Sequence, residues 1–397
     1  MTPALLVSGD PVALGRATIV VVAIVVVKAL LAFGMLMTAV ALMIWFERKL
    51  ISDMQNRVGP NRAGPFGLLQ TMADGIKLMF KEDLLPEGAD RATFRLAPFL
   101  STVPAFLSFA IVPVGGVVHL FGYTTELQVA DPPIGILFLL AMSGVAVYGL
   151  MLAGWSSGSK YPLLGSVRAS AQMVSYEAAM GLSVAAVVLV TGSLSTRAIV
   201  QAQAAHIWDW NLVRLAVIPF VIFLAAATAE LNRPPFDLVE GDSELVGGFN
   251  TEYSSMRFGL FYLAEFMSTI TMSAVIVTLF LGGPDGPVIH LPLLNWLMPI
   301  GWFFLKTLAF LFFYVWLRAA LPRLRYDQLM DLGWKVLIPA ALGWLIVIAG
   351  FRVGRVTGLV TFAVAIVVGA GMARAFAVGQ VRNRDPATSS STSGDFR

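Results

Sequence analysis

Long apolar runs separated by short polar segments dominate the chain. A membrane-spanning helix needs about 20 predominantly apolar residues. The runs predict spanning helices at 18–46, 96–118, 133–154, 170–191, 212–230, 256–281, 297–321, 334–351 and 356–377. The first run is roughly twice as long as the apolar stretch of a signal peptide, which favours a retained helix. The sequence therefore predicts an all-α polytopic membrane protein in which residues 1–380 form one membrane domain.

Composition supports a membrane protein and narrows its chemistry. The chain is 57% hydrophobic and 13% charged, and its mean hydropathy is +0.79. Without any cysteine, it offers no thiolate ligands for an iron–sulfur cluster or a zinc ribbon and forms no disulfide. The three histidines lie far apart, so we expect no metal site. The net charge of +3 does not predict nucleic-acid binding, because the basic residues lie at the ends of apolar runs.

The basic residues of the loops predict the orientation. One set of loops carries Arg48, Lys49, Arg57, Arg62, Lys160, Arg168, Arg233, Arg323, Arg325 and Lys335. The alternate loops at 122–132 and 282–292 carry neither Lys nor Arg. By the positive-inside rule the N-terminus is outside and the C-terminus is cytoplasmic. We expect residues 381–397, which end in a Ser/Thr-rich stretch, to form a disordered cytoplasmic tail.

An amphipathic helix is predicted between the first two spans. The apolar stripe consists of Leu69, Met72, Ile76, Met79 and Phe80, and the polar face of Gln70, Asp74, Lys77 and Lys81. Such a helix lies in the plane of the membrane interface. It either anchors the chain with a solvated polar face, or walls a cavity and turns Asp74 and Lys77 inward.

Four glutamates occupy positions where a bilayer makes a charge costly. They are Glu47, Glu177, Glu230 and Glu265. An ionisable side chain in a span normally faces the protein interior or a water cavity. All four fall in the cytoplasmic half of the predicted topology, so we expect them to meet around one polar chamber.

Simpler interpretations of these glutamates stay open. Glu47 and Glu230 would then be interfacial residues paired with Arg48 and Arg233. Glu177 and Glu265 would make structural hydrogen bonds between helices. Lys306, in the seventh span, is a candidate continuation of a proton path.

The loop at 231–256 is unusually acidic. Its acids are Asp237, Glu240, Asp242, Glu244 and Glu252. A solvated acidic loop would explain them, but apolar residues such as Phe236, Leu238 and Phe249 alternate with the acids. This pattern favours a folded, half-buried loop.

Four segments together resemble the H subunit of the bacterial NADH-quinone oxidoreductases, the respiratory complex I family, whose mitochondrial counterpart is the first core membrane subunit. They are ERKLISDMQNRVGPNRAGPFGLLQTMADGIKLMFKED at 47–83, GSKYPLLGSVRASAQMVSYE at 158–177, AELNRPPFDLVEGDSELVGGFNTEYSSMRFGLFYLAEF at 229–266 and PRLRYDQLMDLGWK at 322–335. The resemblance implies a component of the cytoplasmic (inner) membrane that docks the hydrophilic arm of the complex onto the membrane arm. It implies a quinone, menaquinone or ubiquinone, as substrate, with FMN and iron–sulfur clusters only on partner subunits.

The resemblance also implies roles for individual residues. It places Glu47, Arg48, Asp74, Lys77, Arg168, Arg233, Arg323 and Arg325 along the quinone tunnel. It places Glu177, Glu230, Asp237, Glu240, Asp242, Glu244 and Glu265 along the acidic route that couples quinone reduction to proton translocation. Asp242 stands where many relatives carry glutamate, and the ninth span extends the eight that are common in the family.

Three other functions compete with this one. A stand-alone ion antiporter would also bury acids, but the sequence lacks the repeat typical of many transporters. An anchor subunit of a membrane-bound hydrogenase is closer; the segment PPFDLVEGDSELVGGFNTEY follows the quinone-reductase pattern instead. A purely structural anchor would not explain Glu177 or Glu265.

Overall fold

The computed structural model of the chain describes residues 19–120, 123–238, 246–287 and 297–384. Three of the acids predicted above, Glu240, Asp242 and Glu244, lie outside the described residues. The predicted tail also lies outside them from residue 385 onward.

The first helix is longer than its apolar run. Helix α1 is Ile19–Met54, with 36 residues, which corresponds to about 54 Å at 1.5 Å per residue. It therefore continues past the expected end at residue 46 and carries Glu47 and Arg48 on its last turns. After a 3₁₀ turn at Pro65–Gly67, the amphipathic helix α2 is Gln70–Phe80.

The second predicted span ends early. Helix α3 is Arg91–Phe109, and the Asp90 side chain caps it by accepting a hydrogen bond from the Ala92 amide at 3.2 Å. The apolar run expected to stay helical to residue 118 instead continues as strand β1, Val117–Leu120, which pairs antiparallel with β2, Tyr123–Glu126. Proline and glycines at 113, 115 and 116 separate the helix from the strand, because proline removes a backbone donor and glycine loosens the backbone.

The next helices form the centre of the chain. Helix α4 is Gly135–Ser156, and helix α5, Lys160–Thr191, starts earlier than the predicted span at 170. Two short helices follow, α6 at Thr196–Gln201 and α7 at Asn211–Arg214. Helix α8 is Ile218–Glu230. The run predicted as one span at 212–230 is thus divided, since Ala216 and Val217 adopt positive φ angles of 54° and 67°.

The remaining helices pack around a buried one. Helix α9 is Ser255–Phe280, and all of its residues from Thr269 to Phe280 are buried. Helix α10 is Leu297–Ala320, α11 is Tyr326–Val353 with a π-helical stretch at Leu332–Leu337, and α12 is Arg355–Arg384. Since α12 continues to Arg384, the first residues of the predicted tail are helical.

The packing of these helices confirms an all-α membrane fold. Helix α3 packs on α4 and α9, α5 packs on α4, α8 and α11, and α12 lies along α11. Within the described residues, six helices are long and apolar enough to cross a membrane, namely α1, α4, α5, α9, α10 and α11. Helix α8 and the apolar part of α12 are shorter. The count of nine spans therefore stays a prediction.

Candidate functional site

Two arginines and two glutamates form a largely buried ionic cluster where α1, α9, α10 and the end of α8 meet. We call Glu47, Arg233, Glu265 and Arg318 the ionic cluster. The Arg233 guanidinium lies 3.0 Å from Oε2 of Glu47 and 3.2 Å from Oε1 of Glu265, while Arg318 binds the other oxygen of Glu47. Only 3% of Arg233 is exposed. Two positive and two negative charges leave the cluster neutral, the condition under which charges are tolerated away from water.

The chain after α8 is folded so that Arg233 points back into the protein. Asn232 has a positive φ of 51°, which reverses the backbone directly after the helix. Gln172 of α5 then holds the turn by donating to the carbonyls of Ala229 at 2.8 Å and Phe236 at 2.9 Å. The guanidinium of Arg233 lies 4.7 Å from the centre of the Phe266 ring, a cation–π contact.

Glu177 and Glu230 lie beside the ionic cluster, and we call them the acidic pair. Both carboxyls approach the hydroxyl of Ser143 on α4 and interact electrostatically with each other. Glu177 lies against Gly144, where an added Cβ would be 3.5 Å from its Oε1 atom. Oε2 of Glu230 is buried and has no hydrogen-bond partner among the described residues.

Two small cavities lie beside Glu230, and the second also borders Glu265 of the ionic cluster. The first, about 50 Å³, is lined by Ser143 and Glu230, and the second, about 80 Å³, by Glu230 and Glu265. Both are also lined by Ser268. Since about 10–15 Å³ of such space is the least that holds one water molecule, each cavity has room for water. The two cavities therefore adjoin, and their walls extend from Ser143 to Glu265.

A wider groove lies on the other side of the ionic cluster. It has a volume of about 420 Å³. Its lining residues are Glu47, Arg48, Ile51, Arg57, Val58, Gly59, Pro60, Tyr262 and Arg318. Charged groups and an apolar wall thus face the same space, as in sites for ligands with a polar head and an apolar body.

Asp74 of the amphipathic helix is tied to the end of α1. Its carboxylate lies 2.6 Å from Arg48 and 3.6 Å from Lys77. Partial burial acts to raise the pKa of Asp74, but the hydrogen bond and charge of Arg48, with Gln70 and Lys77, more than offset it and lower the pKa below its usual value. The apolar stripe is exposed in this chain, with Met79 at 66%. Of the two residues that could turn inward, only Asp74 turns toward α1, since the Lys77 side chain is 67% exposed.

Some of the other predicted site residues are paired inside the protein, and one lies on the surface. Asp237 is buried and pairs with Arg323 at 2.9 Å, and Arg168 stacks 5.0 Å above the Tyr326 ring. Arg325 is largely exposed and pairs with its neighbour Asp327, so it lies on the surface rather than in the cluster.

The structure adds residues that the sequence pattern does not single out. Arg318, Tyr262 and Ser143 contact the acidic groups or line the cavities, and Gln172 holds the turn that carries Arg233. Arg318 carries a usable signal, because it is a charge in the last turn of an apolar run, as Glu47 is. The other three are uncharged and give no such signal.

Lys306 lies far from these groups. Its ammonium donates to the carbonyls of Leu281, Gly283 and Asp285 at 2.7, 3.1 and 2.5 Å. These carbonyls follow the end of α9, so Lys306 stabilises the C-terminus of that helix. Leu281 is 16 residues beyond Glu265, about 24 Å along a helix.

The fold and the site define a class of protein: a multi-pass helical membrane protein with a buried ionic cluster placed between a groove and acids that line small cavities. A family model described as NADH dehydrogenase matches residues 27–349. The chain belongs to the NADH dehydrogenase family, which confirms the resemblance found in the sequence.

Curated relatives agree over most of the chain. The H subunit of the NADH-quinone oxidoreductase of Frankia alni (strain DSM 45986 / CECT 9034 / ACN14a) is 53% identical over 335 residues, covering 83% of this chain and 73% of that protein. The corresponding protein of Streptomyces avermitilis is 48% identical over 361 residues, covering 88% and 78%. That of Cutibacterium acnes is 48% identical over 354 residues, covering 85% and 80%.

Proposed function

We propose that the chain is the membrane subunit of a proton-translocating NADH:quinone oxidoreductase in which it forms the quinone passage and the acidic chamber that couples quinone reduction to proton pumping. The observation that carries this proposal is the position of the ionic cluster between a groove on one side and cavity-lining carboxyls on the other. The names of the relatives support the same assignment.

The groove is proposed as part of the quinone passage. A quinone has a polar ring and an apolar tail, and the groove presents Arg48, Arg57 and Arg318 beside Ile51 and Val58. Lys77, Asp74, Arg168, Arg323 and Arg325 are proposed to line other parts of the passage. Iron–sulfur clusters would belong to partner subunits, because this chain has no cysteine to ligate them. FMN is proposed to lie on a partner subunit as well.

Coupling is proposed to proceed by electrostatics through the ionic cluster. Reduction of quinone in the passage creates negative charge and a demand for protons. A unit charge about 10 Å away changes the free energy of protonating a carboxyl by about 1.7 kcal/mol at an effective dielectric constant of about 20. Arg233 contacts Glu47 on the groove side and Glu265 on the cavity side, so it transmits such a change. Glu230 and Glu177 then take up or release protons through water in the two cavities, which is the proposed water path.

The acidic loop is proposed to continue this route. Asp237 is held by Arg323 at the start of the loop, and Glu240, Asp242 and Glu244 follow in the sequence.

The proposed partners are the quinone-module subunits of the hydrophilic arm and the neighbouring subunits of the membrane arm. The proposed location is the cytoplasmic (inner) membrane, with nine spans, the N-terminus outside and the C-terminus inside.

The competing functions lose support. The relatives that match this chain at about half identity are named as parts of a quinone oxidoreductase, which favours that activity over a hydrogenase anchor or an antiporter. A purely structural anchor does not account for a buried Glu230 oxygen that faces a cavity.

The direct test is to purify the tagged chain from its native membrane in mild detergent and assay NADH-driven quinone reduction. We expect iron–sulfur subunits to co-purify with this activity. Glu177→Gln and Asp237→Asn should impair proton-coupled quinone reduction while assembly is largely kept. A chain that purifies alone, or full coupled activity in both variants, would refute the proposal.

A further inference from the structure

One aromatic residue lines both the groove and the cavity beside the acids. Among the described residues, Tyr262 is the one that lines both the 420 Å³ groove and the 80 Å³ cavity. On the groove side its neighbours are Glu47 and Arg318, and on the cavity side Glu265 lies one helical turn away on α9. A single phenol ring therefore forms the shared wall.

The ring is held in place from two sides. It packs 4.8 Å from the Phe266 ring and 6.3 Å from the Phe258 ring, measured between centroids. Both neighbours are four residues away on the same helix and therefore lie on the same face. Phe266 in turn carries the guanidinium of Arg233. The Tyr262 ring is thus built into the ionic cluster.

We propose that Tyr262 is a partition residue that keeps the water of the acid cavity separate from the groove. The inference rests on the proposed function and adds a residue to it. Protons then pass between the two spaces only through the ionic cluster, whose charges respond to the substrate. If water connected the spaces directly, protons would bypass that cluster, and quinone reduction would proceed with fewer protons translocated.

Accessibility of a reporter thiol tests the partition directly. The chain has no native cysteine, so Ser268→Cys places one thiol of this chain in the wall of the acid cavities. The purified complex is treated with a small water-soluble methanethiosulfonate reagent, and labelling of this subunit is followed by mass. Val58→Cys in the groove, where the side chain is 77% exposed, is the reactive control. Ser273→Cys, at a fully buried position of α9, is the unreactive control.

The partition predicts a specific order of labelling rates. Thiol reactivity depends on access, so the Ser268→Cys thiol should react roughly tenfold faster when Tyr262→Ala is added. Tyr262→Phe keeps the ring and should leave the rate unchanged. Phe312→Ala removes a 45% exposed ring of α10 that lines neither the groove nor the cavities, and it should also leave the rate unchanged. Equal labelling in the Tyr262→Ala and Tyr262 backgrounds would overturn the proposal. If Tyr262→Ala does not assemble, Tyr262→Leu gives the same comparison with less loss of volume.

The consequence for coupling is measured in sealed vesicles. Tyr262→Ala should keep most NADH-driven quinone reduction and lower the number of protons translocated per electron pair, and Tyr262→Phe should restore that number. Suppose that Tyr262→Ala labels faster but translocates the usual number of protons, and that Glu230→Gln is also fully coupled. This result would refute the proposed function and leave the partition standing. Loss of coupling in Glu230→Gln together with unchanged labelling in Tyr262→Ala would refute the partition alone.

Discussion

Replacing Arg233 removes the centre of the ionic cluster. The residue contacts both Glu47 and Glu265 and is 3% exposed. Arg233→Met keeps a side chain of similar length but leaves two carboxylates with Arg318 as their remaining cation in the cluster. The neutral cluster then carries a net charge of −1 in a place with little water.

The size of the effect follows from that uncompensated charge. Breaking a buried ion pair by removing one partner costs about 3–5 kcal/mol. The cation–π contact with Phe266 is lost as well. Arg233→Lys keeps the charge but lacks the planar fork that reaches two carboxylates at once, so its effect should be smaller. Arg233→Met combined with Glu47→Gln restores neutrality and should recover part of the loss.

Kinetic stability of the purified complex is the suitable assay, because large membrane complexes unfold irreversibly. The half-life of quinone-reductase activity at a fixed elevated temperature falls about tenfold for every 1.4 kcal/mol lost from the barrier. Arg233→Met should shorten it at least that much. Arg325→Met, which removes a mostly exposed arginine, should change it little. A half-life for Arg233→Met equal to that of the unmodified complex would refute the electrostatic reasoning.

Three further outcomes follow from the same geometry. Glu230→Gln should lower the protons translocated per electron pair more than the rate of quinone reduction, as measured in sealed vesicles, because it removes a titrating group from the water path. Gly154→Ala should prevent assembly, as judged on native gels, since its Cβ would overlap Oγ of Ser166 and the carbonyl oxygen of Pro162. The pKa of Asp74 is lowered in the folded protein. The ion pairs of Asp74 therefore stabilise the fold fully above its usual pKa, and this stabilisation is lost only as the pH falls through the lower folded value. The activity ratio of Asp74→Asn to the unmodified complex should therefore be constant between about pH 6 and 8.

A specific result would contradict each of these three predictions. Gly34→Ala, where an added Cβ meets nothing within 4 Å, is the control for Gly154→Ala, and equal assembly of both would contradict the steric argument. An Asp74→Asn ratio that changes strongly with pH in the neutral range would show that its ion pairs are not fully formed there. A Glu230→Gln complex with an unchanged proton ratio would remove Glu230 from the path.

The helices can be predicted from the sequence, but not all of their ends. Hydropathy identifies α1, α4, α9 and α10 because each is one apolar run. It does not distinguish a helix from a strand in a short apolar run, and residues 117–120, where a span is predicted to end, form β1 instead. It also does not report backbone angles, and the positive φ values of Ala216 and Val217 divide a continuous run.

The acidic groups can be predicted, but their partners cannot. The depth of Glu47 and Glu265 in apolar runs indicates that both need a partner. The adjacent Arg48 is the candidate partner of Glu47 in the sequence, but neighbouring residues on a helix do not face each other, and Arg48 binds Asp74 instead. The actual partners, Arg233 and Arg318, lie 186 and 271 residues away, and only the tertiary packing brings them together.

The neutrality of the ionic cluster explains how charges can be both buried and responsive. An unpaired carboxylate here would be costly enough to take up a proton, and an unpaired arginine would be costly enough to disrupt the helices. Pairing removes that cost, but it also makes the cluster sensitive, because a further charge in the groove meets no excess of opposite charge to screen it. Arg318, whose side chain is 34% exposed, faces the groove, while Arg233 is 3% exposed and reaches Glu265. In the proposed coupling, a change of charge in the groove therefore acts first on Arg318 and reaches the cavity through Glu47 and Arg233.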